Sequence, residues 1–296
     1  MNIIFRVDSS SKIGIGHLMR CLVLAEQYKK NNITFAAQSI EGNANQKIID
    51  KGYKLIILAN NSIDELCKNI KLLNIKFIVF DHYDIDDKFE KSIKDKTGIH
   101  ILSFDDTYKK HHCDILLNHN IYADASQYKN LVPNFCEIRC GKEYTLIRDE
   151  FKKIKTRGRA TKQKIPVIFV CLGGADKNNI SLDVLKILTG FKNILVNFAT
   201  TSSNQNIDEL NNYTKQLKNF NIYVDCDIAE LMNNSDVAII TPSVIVHEAI
   251  FMELPFITIK TAGNQEIMHQ YLFKNNYPVF QENELSLLSK EIKNYA

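Results

Sequence analysis

The sequence predicts an α/β protein made of two Rossmann-like domains, each a parallel sheet covered by helices. Three observations predict it. Short apolar runs alternate with stretches of helical periodicity, the pattern of strands joined through helices. The alternation stops at a basic, polar stretch over 151–164 and then starts again. Both halves open with a strand, a turn carrying two glycines, and a helix. Two such domains facing one another place ligands in the cleft, at the carboxyl ends of their strands.

Taken in order, the first half (1–150) has strands expected at 2–7, 33–38, 54–58, 77–81 and 100–104, with helices between them. Residues 111–150 are less regular, with apolar runs at 114–117 and 135–139. The stretch 151–164, rich in Lys and Arg and containing Gly158, reads as a linker. It has no interleaved aromatic residues, which argues against a nucleic-acid surface. In the second half (165–296), the strand 165–172 runs into Gly173-Gly174-Ala175-Asp176. Further strands are expected at 193–198, 221–225, 236–240 and 255–259, with helices at 204–218, 243–252 and 264–274.

Composition narrows the class. A chain of 296 residues with 45% hydrophobic and 24% charged residues suits a soluble globular enzyme of two domains. The net charge of +3 gives no reason to expect a nucleic-acid or membrane partner. Met1 leads straight into a strand, with no signal-peptide pattern, and no apolar run approaches bilayer length. Seven scattered cysteines then point to free thiols in a reducing cytoplasm.

Residues 13–17 read Ile-Gly-Ile-Gly-His, after a strand and before a helix. Helix N-termini expose unpaired N–H groups, and glycines let a phosphate approach them. Gly14 and Gly16 are therefore candidate phosphate contacts, and His17 a candidate base beside them. The plainer reading is a tight turn with a surface histidine. A dinucleotide site is disfavoured, because Met19 stands where a third glycine belongs and the strand 33–38 ends in Gln38.

Other candidates gather at the same strand ends. Asp8 follows the first strand and is placed to orient His17. Asp81 and Tyr83 follow the strand 77–81, and Asp105 and Asp106 follow 100–104. In the second half, Gly173 and Gly174, Thr200 to Asn204, Thr241 to Ser243, and Thr261 to Glu266 follow successive strands. Such turns can wrap a diphosphate, and Glu248 on the next helix can accept two ribose hydroxyls. Taken singly, each Ser, Thr or Asn is more simply a helix cap; four sets at one edge favour a nucleotide. His111-His112-Cys113 invites a zinc site but lacks partners at ligand spacing, so no metal and no cofactor is expected. No Gly-x-Ser-x-Gly elbow and no Gly-Lys-Ser/Thr phosphate loop occurs.

These motifs together resemble the UDP-sugar hydrolases of pseudaminic acid biosynthesis, which cleave UDP-2,4-diacetamido-2,4,6-trideoxy-β-L-altropyranose. The resemblance rests on Phe5 to Ser11 with Ile13 to His17, on Asp81-His82-Tyr83, and on Leu102 to Asp106. It continues through His111 to Asn118, Glu137 to Gly141, Leu146 to Arg148, Gly173 to Asp176, Ala199 to Asn204, Asn233 to Ser235 and Lys260 to Glu266. It spans nearly the whole chain. The family is related to the GT-B transferases that add N-acetylglucosamine to a peptidoglycan precursor. A GT-B-like fold is therefore implied, with UDP held mainly by the second domain and water as the acceptor.

The resemblance implies a metal-free, inverting hydrolysis, in which His17 is the general base. Tyr83 and Asn264 line the sugar pocket, with Asp81 beside them for the acetamido groups. Gly14, Gly16, Gly173, Gly174, Ser243, Glu248 and Gln265 contact UDP. A cytoplasmic monomer with a small-molecule UDP-sugar substrate, in flagellin glycosylation, completes the expectation. The rival enzyme is an inverting GT-B glycosyltransferase. With a lipid acceptor it should carry an apolar patch ringed by basic residues on the first domain, and none is visible between 60 and 95. A non-catalytic sugar-nucleotide binding module is the third reading, and it has no need of His17.

Overall fold

The computed structural model describes residues 1–158, 165–174, 176 and 178–295. It divides into two units, Met1–Leu146 and Ile147–Ala296. The first holds strands β1 (Asn2–Val7), β2 (Asn32–Gln38), β3 (Lys54–Leu58), β4 (Phe77–Asp81), β5 (His100–Phe104), β6 (Ile115–Asn118) and β7 (Glu137–Cys140). Its helices are α1 (Gly16–Gln27), α2 (Gln46–Asp50), α3 (Ile63–Leu72) and α4 (Asp87–Thr97). The strands form one parallel sheet in the order β3-β2-β1-β4-β5-β6-β7.

The two faces of this sheet can be read off β1. Ile3, Phe5 and Val7 pack with Leu18, Cys21, Leu22 and Ala25 of α1, while Ile4 packs with Leu66, Cys67 and Ile70 of α3 and Ile93 of α4. Burial on both faces explains why the strands read as unbroken apolar runs. Ser62 caps α3 and Asp86 caps α4 through their side chains. By contrast α1 starts at Gly16 with no side-chain cap and no acidic residue in its first turn. Its leading N–H groups are thus left for another partner.

The second unit holds α5 (Asp149–Arg157), β8 (Val167–Cys171), α6 (Ile180–Leu188), β9 (Leu195–Thr200), α7 (Ile207–Thr214), β10 (Phe220–Val224), α8 (Ile228–Asn233), β11 (Val237–Ile240), α9 (Val244–Phe251), β12 (Phe256–Lys260), α10 (Glu266–Lys274), β13 (Val279–Gln281) and α11 (Leu285–Ile292). Its sheet, also parallel, runs β10-β9-β8-β11-β12-β13. Both sheets therefore reverse direction beside their first strand, and such switch points are where doubly wound folds take ligands. β13 and α11 lie beyond 274, where no element is expected from the sequence.

The two α/β domains and their parallel sheets match the expected fold class. The basic stretch 151–164 is a different matter. Residues 151–157 are the body of α5, whose Phe151 and Ile154 are buried and which packs on α8. An apolar pair at helical spacing inside a basic run gives that run a face to bury. Residues 159–164 lie outside the described residues. Among the described residues, no helix is long and apolar enough to cross a membrane.

Candidate active site

In parallel register, Val7 of β1 lies beside Asp81 of β4. The loop after β1 therefore returns α1 to the switch point next to Asp81. That loop is tied by its own bonds: Ser10 Oγ accepts from Lys12 N (3.2 Å) and Ile13 N (3.0 Å), and Gly14 N donates to Ser10 O (2.8 Å). Gly14 closes this turn at φ +79°, where a side chain would be strained. Gly16 opens α1, and His17 follows in its first turn.

His17 Nδ1 lies 2.5 Å from Asp81 Oδ1. Arg20, one turn further along α1, donates from Nη2 to Oδ1 and from Nε to Oδ2 of the same carboxylate, both at 2.6 Å. Cys21 Sγ adds a contact to Oδ2 at 3.6 Å. Burial opposes ionisation of Asp81, but the Arg20 charge and hydrogen bonds, with those of His17, hold its carboxyl well below the usual range. An ionised Asp81 only accepts, so the His17 Nδ1 hydrogen points at it. Neutral His17 then carries its lone pair on Nε2, the atom a general base needs.

Arg20 also reaches Asp106 Oδ2 from Nη1 at 2.8 Å. Tyr83 donates its hydroxyl to Asp106 (3.1 Å to Oδ1, 3.2 Å to Oδ2) and stands edge-on to His17, ring centroids 4.6 Å apart. Burial, then the nearby Asp106 carboxylate, push the Tyr83 phenol up to about 12. Tyr83 is thus a phenol at neutral pH, a hydrogen-bond donor rather than a base. The structure brings together His17, Asp81 and Tyr83. It adds Asp106, named only among the candidates at the strand ends, and Arg20, which sequence reasoning left out. The three-residue step from His17 to Arg20 on one helix face was the available signal.

Asp8 does not join them. It is 2% exposed, and its oxygens accept from Arg6 (2.6 and 2.8 Å), His82 Nε2 (2.9 Å) and the Gln38 N–H (2.7 Å). It is the counter-ion of a wholly buried arginine. The expectation that Asp8 orients His17 is corrected: Asp81 holds His17, and the Asp8 oxygens are taken up by Arg6, His82 and Gln38.

At the edge of the second sheet, Gly173 has φ +94° and no atom within 4 Å of where a Cβ would stand. Gly174 has a packing reason as well: a Cβ there would meet Thr201 Oγ1 at 2.8 Å, the hydroxyl that donates to Gly174 O. Several of the polar residues hold a helix start or the turn before it. Asp176 accepts from Ile180 N (3.0 Å) and Ser181 N (3.2 Å) at the start of α6, and Asn204 holds Asn206 N at 2.8 Å. Ser243, before α9, makes no side-chain cap; its Oγ lies 3.0 Å from Thr241 Oγ1. Gln265 turns back to accept from Thr261 N at 2.8 Å, and Asn264 is exposed.

Glu248 is 1% exposed and pairs with Arg148, Nε to Oε1 at 2.5 Å and Nη2 to Oε2 at 2.8 Å. Burial pushes its carboxyl up, and the Arg148 guanidinium opposes that push. Each oxygen keeps a further lone pair, but a ribose must approach beside the guanidinium. Neighbouring His247 is held down to about 4 by burial and is neutral at pH 7.

No protein-family model matches the chain. The UDP-2,4-diacetamido-2,4,6-trideoxy-β-L-altropyranose hydrolase of Campylobacter jejuni is 42% identical over 280 residues, 94% of this chain and 98% of that protein. An uncharacterized protein of Methanocaldococcus jannaschii is 28% identical over 288 residues, 93% of this chain but 59% of that longer protein. Among solved structures, MurG of Acinetobacter baumannii aligns with a TM-score of 0.65 at 14% identity, over 99% of this chain and 90% of its own. The spinosyn rhamnosyltransferase SpnG, complexed with thymidine diphosphate, aligns at 0.63 and 10% identity, over 100% and 90%. At those identities the likeness is one of fold, and it is GT-B-like. The identity to the Campylobacter enzyme, by contrast, runs across nearly all of both chains: this chain belongs to the family of UDP-2,4-diacetamido-2,4,6-trideoxy-β-L-altropyranose hydrolases.

Proposed function

We propose that the chain hydrolyses UDP-2,4-diacetamido-2,4,6-trideoxy-β-L-altropyranose to UDP and the free sugar, by a single displacement in which His17 activates water. The observation that carries this reading is the His17–Asp81 contact, which points Nδ1–H at a carboxylate and leaves Nε2 to take a proton. Water attacks C1 while its proton passes to His17 Nε2. The C1–O bond breaks, and its electron pair leaves on the diphosphate of UDP. Attack opposite the leaving group inverts C1. A positioned base of this kind contributes on the order of 10²–10⁴-fold. The imidazolium that forms is stabilised by Asp81, and Tyr83, whose hydroxyl hydrogen goes to Asp106, offers its oxygen as an acceptor to the sugar or the water.

UDP is assigned to the turns of the second unit: Gly173, Gly174, Ser243, Glu248, Asn264 and Gln265. Gly16 adds its N–H at the uncapped start of α1, and Gly14, whose own N–H is held by Ser10 O, keeps the approach to it clear of a side chain. Donors aimed at developing charge on the leaving group do the work a metal does elsewhere, so the reaction is proposed to run without one. A monomeric cytoplasmic protein is part of the same reading. Incubation with the UDP-sugar, with and without a sugar or lipid acceptor, tests it. UDP and free sugar in equal amounts, independent of acceptor, support hydrolysis. UDP release only with an acceptor would make the chain a transferase. Binding without release would leave a sugar-nucleotide binding module.

A further inference from the structure

Outside the site just described, the first unit buries a second set of charges. His111 Nδ1 lies 2.8 Å from Glu90 Oε1 of α4, and Nε2 lies 3.7 Å from Asp105 Oδ1, just past β5. Glu90 is 1% exposed and Asp105 6%. Glu90 also accepts from Ser103 Oγ (2.6 Å) and His112 N (2.5 Å). Two carboxylates buried around one ring repel each other unless that ring is a cation. Other titratable groups face this cluster: Tyr108 and His112 from the same segment, Tyr128 from the 3₁₀ turn Ala125–Tyr128, Cys113, and Cys136 and Cys140 at β7. None of them brings a cation between Glu90 and Asp105.

Asp105 uses its oxygens to fold the following turn. It accepts from Thr107 N (3.1 Å), Thr107 Oγ1 (2.9 Å), Lys109 N (3.3 Å) and Tyr128 Oη (2.7 Å). The next residue is Asp106, which receives both Arg20 and Tyr83. Lys109, on the same turn, has Nζ 5.5 Å from the Tyr83 ring centroid. We propose that His111 is a positioning residue: its imidazolium, clamped between Glu90 and Asp105, holds the 105–109 turn so that Asp106 meets Arg20 and Tyr83, and turnover requires it charged.

Burial opposes the charge on His111, but the Asp105 carboxylate 3.7 Å away and the hydrogen bond to Glu90 outweigh burial and raise it to about 9. The charge is therefore present at neutral pH and is lost only in base. The inference rests on the hydrolase reading for its kinetic consequence.

The test follows UDP release by the wild-type protein and by His111→Gln, His111→Lys and Cys136→Ser from about pH 7 to about pH 10. The expected wild-type kcat falls on the basic side with a midpoint near 9. In His111→Gln that limb is gone and kcat is lower throughout by about tenfold, with UDP affinity unchanged. His111→Lys, which keeps the charge, recovers part of kcat and holds it to higher pH. Cys136→Ser keeps the wild-type limb, which separates the thiol from the imidazole. A His111→Gln protein with wild-type kcat and the same basic limb overturns the inference. Should that variant fail to fold, NMR titration of the wild-type protein decides. Loss of the His111 ring proton near 9, with the Tyr83 ring signals shifting in step, supports the inference. Loss below neutrality, or Tyr83 signals that ignore it, overturns it. A wild-type protein that releases no UDP refutes the hydrolase reading alone, and the titration still tests the coupling.

Discussion

His17 and Asp81 are 64 positions apart in sequence, and their side chains meet at 2.5 Å. The contact follows from topology. β1 and β4 are sheet neighbours although two strands separate them in sequence, so the loop after one meets the end of the other. Asp81 then performs two tasks with one carboxylate, fixing the His17 tautomer and neutralising Arg20.

The first prediction concerns His17. His17→Asn keeps a polar side chain of similar shape but removes the atom that takes the proton. UDP affinity should stay within about tenfold while kcat falls by ~10² or more. Calorimetry with UDP and single-turnover kinetics separate the two. Near-normal kcat with lost UDP binding would make His17 a phosphate ligand and leave the reaction without its base.

Arg20 gives the second. Its guanidinium spans Asp81 and Asp106 at once, and a lysine ammonium cannot reproduce that fork. In Arg20→Lys, Asp106 and Tyr83 lose their tie to Asp81, and kcat should fall by roughly tenfold or more through misplacement. KM for the UDP-sugar should change less than kcat. The steady-state parameters of this variant check it; an unchanged kcat would mean that Asp81 alone positions His17.

How much of this was legible in the sequence depends on the kind of order involved. The strand 77–81 was legible because burial on both faces leaves an unbroken apolar run, and 54–58 because its apolar run persists even at the sheet edge, where Ile57 is exposed. Sheet order then placed His17, Asp81 and Tyr83 at one edge. Direct pairing was not legible: Asp8 and Asp81 both end strands beside His17, and only the fully buried Arg6 decides that Asp8 is filled. α5 was hidden for the opposite reason, since Phe151 and Ile154 are two apolar positions in a run dominated by charge. Asp176 reads as a turn residue of unknown purpose until the start of α6 shows what it caps.

Glu248 and Arg148 carry the third prediction. If the Glu248 carboxylate accepts ribose hydroxyls, Glu248→Ala weakens UDP binding by ~1–3 kcal/mol. It also strands the Arg148 guanidinium, so thermal stability should drop in the same variant. Arg148→Met removes the guanidinium and keeps Glu248 open to the ribose. UDP affinity should then be retained or improved while stability still falls. Calorimetry on both variants, each checked for folding, is decisive: unchanged UDP affinity in a folded Glu248→Ala protein would reduce the pair to a brace between α5 and α9.

The fourth prediction is that activity survives excess EDTA. Among the described residues, no group of three His, Cys, Asp or Glu side chains is arranged to hold a metal ion, and Asp81, Asp105 and Asp106 are bound to Arg20, Tyr83, Tyr128 and the 105–109 turn. UDP release measured before and after chelation checks it. Loss on chelation with recovery by magnesium or manganese would reopen Asp106, the most exposed of the three carboxylates, as a ligand.

The last prediction is that the two units lose stability at opposite ends of the pH scale. His111, in the first unit, is raised from 6.5 to about 9. Its contribution is complete below the unfolded value and disappears as pH rises through 9. His247, in the second unit, is lowered from 6.5 to about 4. Its contribution is complete above the unfolded value and disappears as pH falls through 4. Each shift corresponds to roughly 3 kcal/mol. The depressed carboxyls of Asp81 and Asp105 add acid-side loss in the first unit, but only below the ordinary carboxylate range. Urea midpoints across the pH range, followed by signals assigned to each unit, should therefore show the first unit weakening in base and the second in mild acid. His111→Gln should abolish the first trend and His247→Gln the second. A basic loss that persists in His111→Gln would assign it to another group, with the Cys140 thiol, pushed up to about 11 by burial, the next to test.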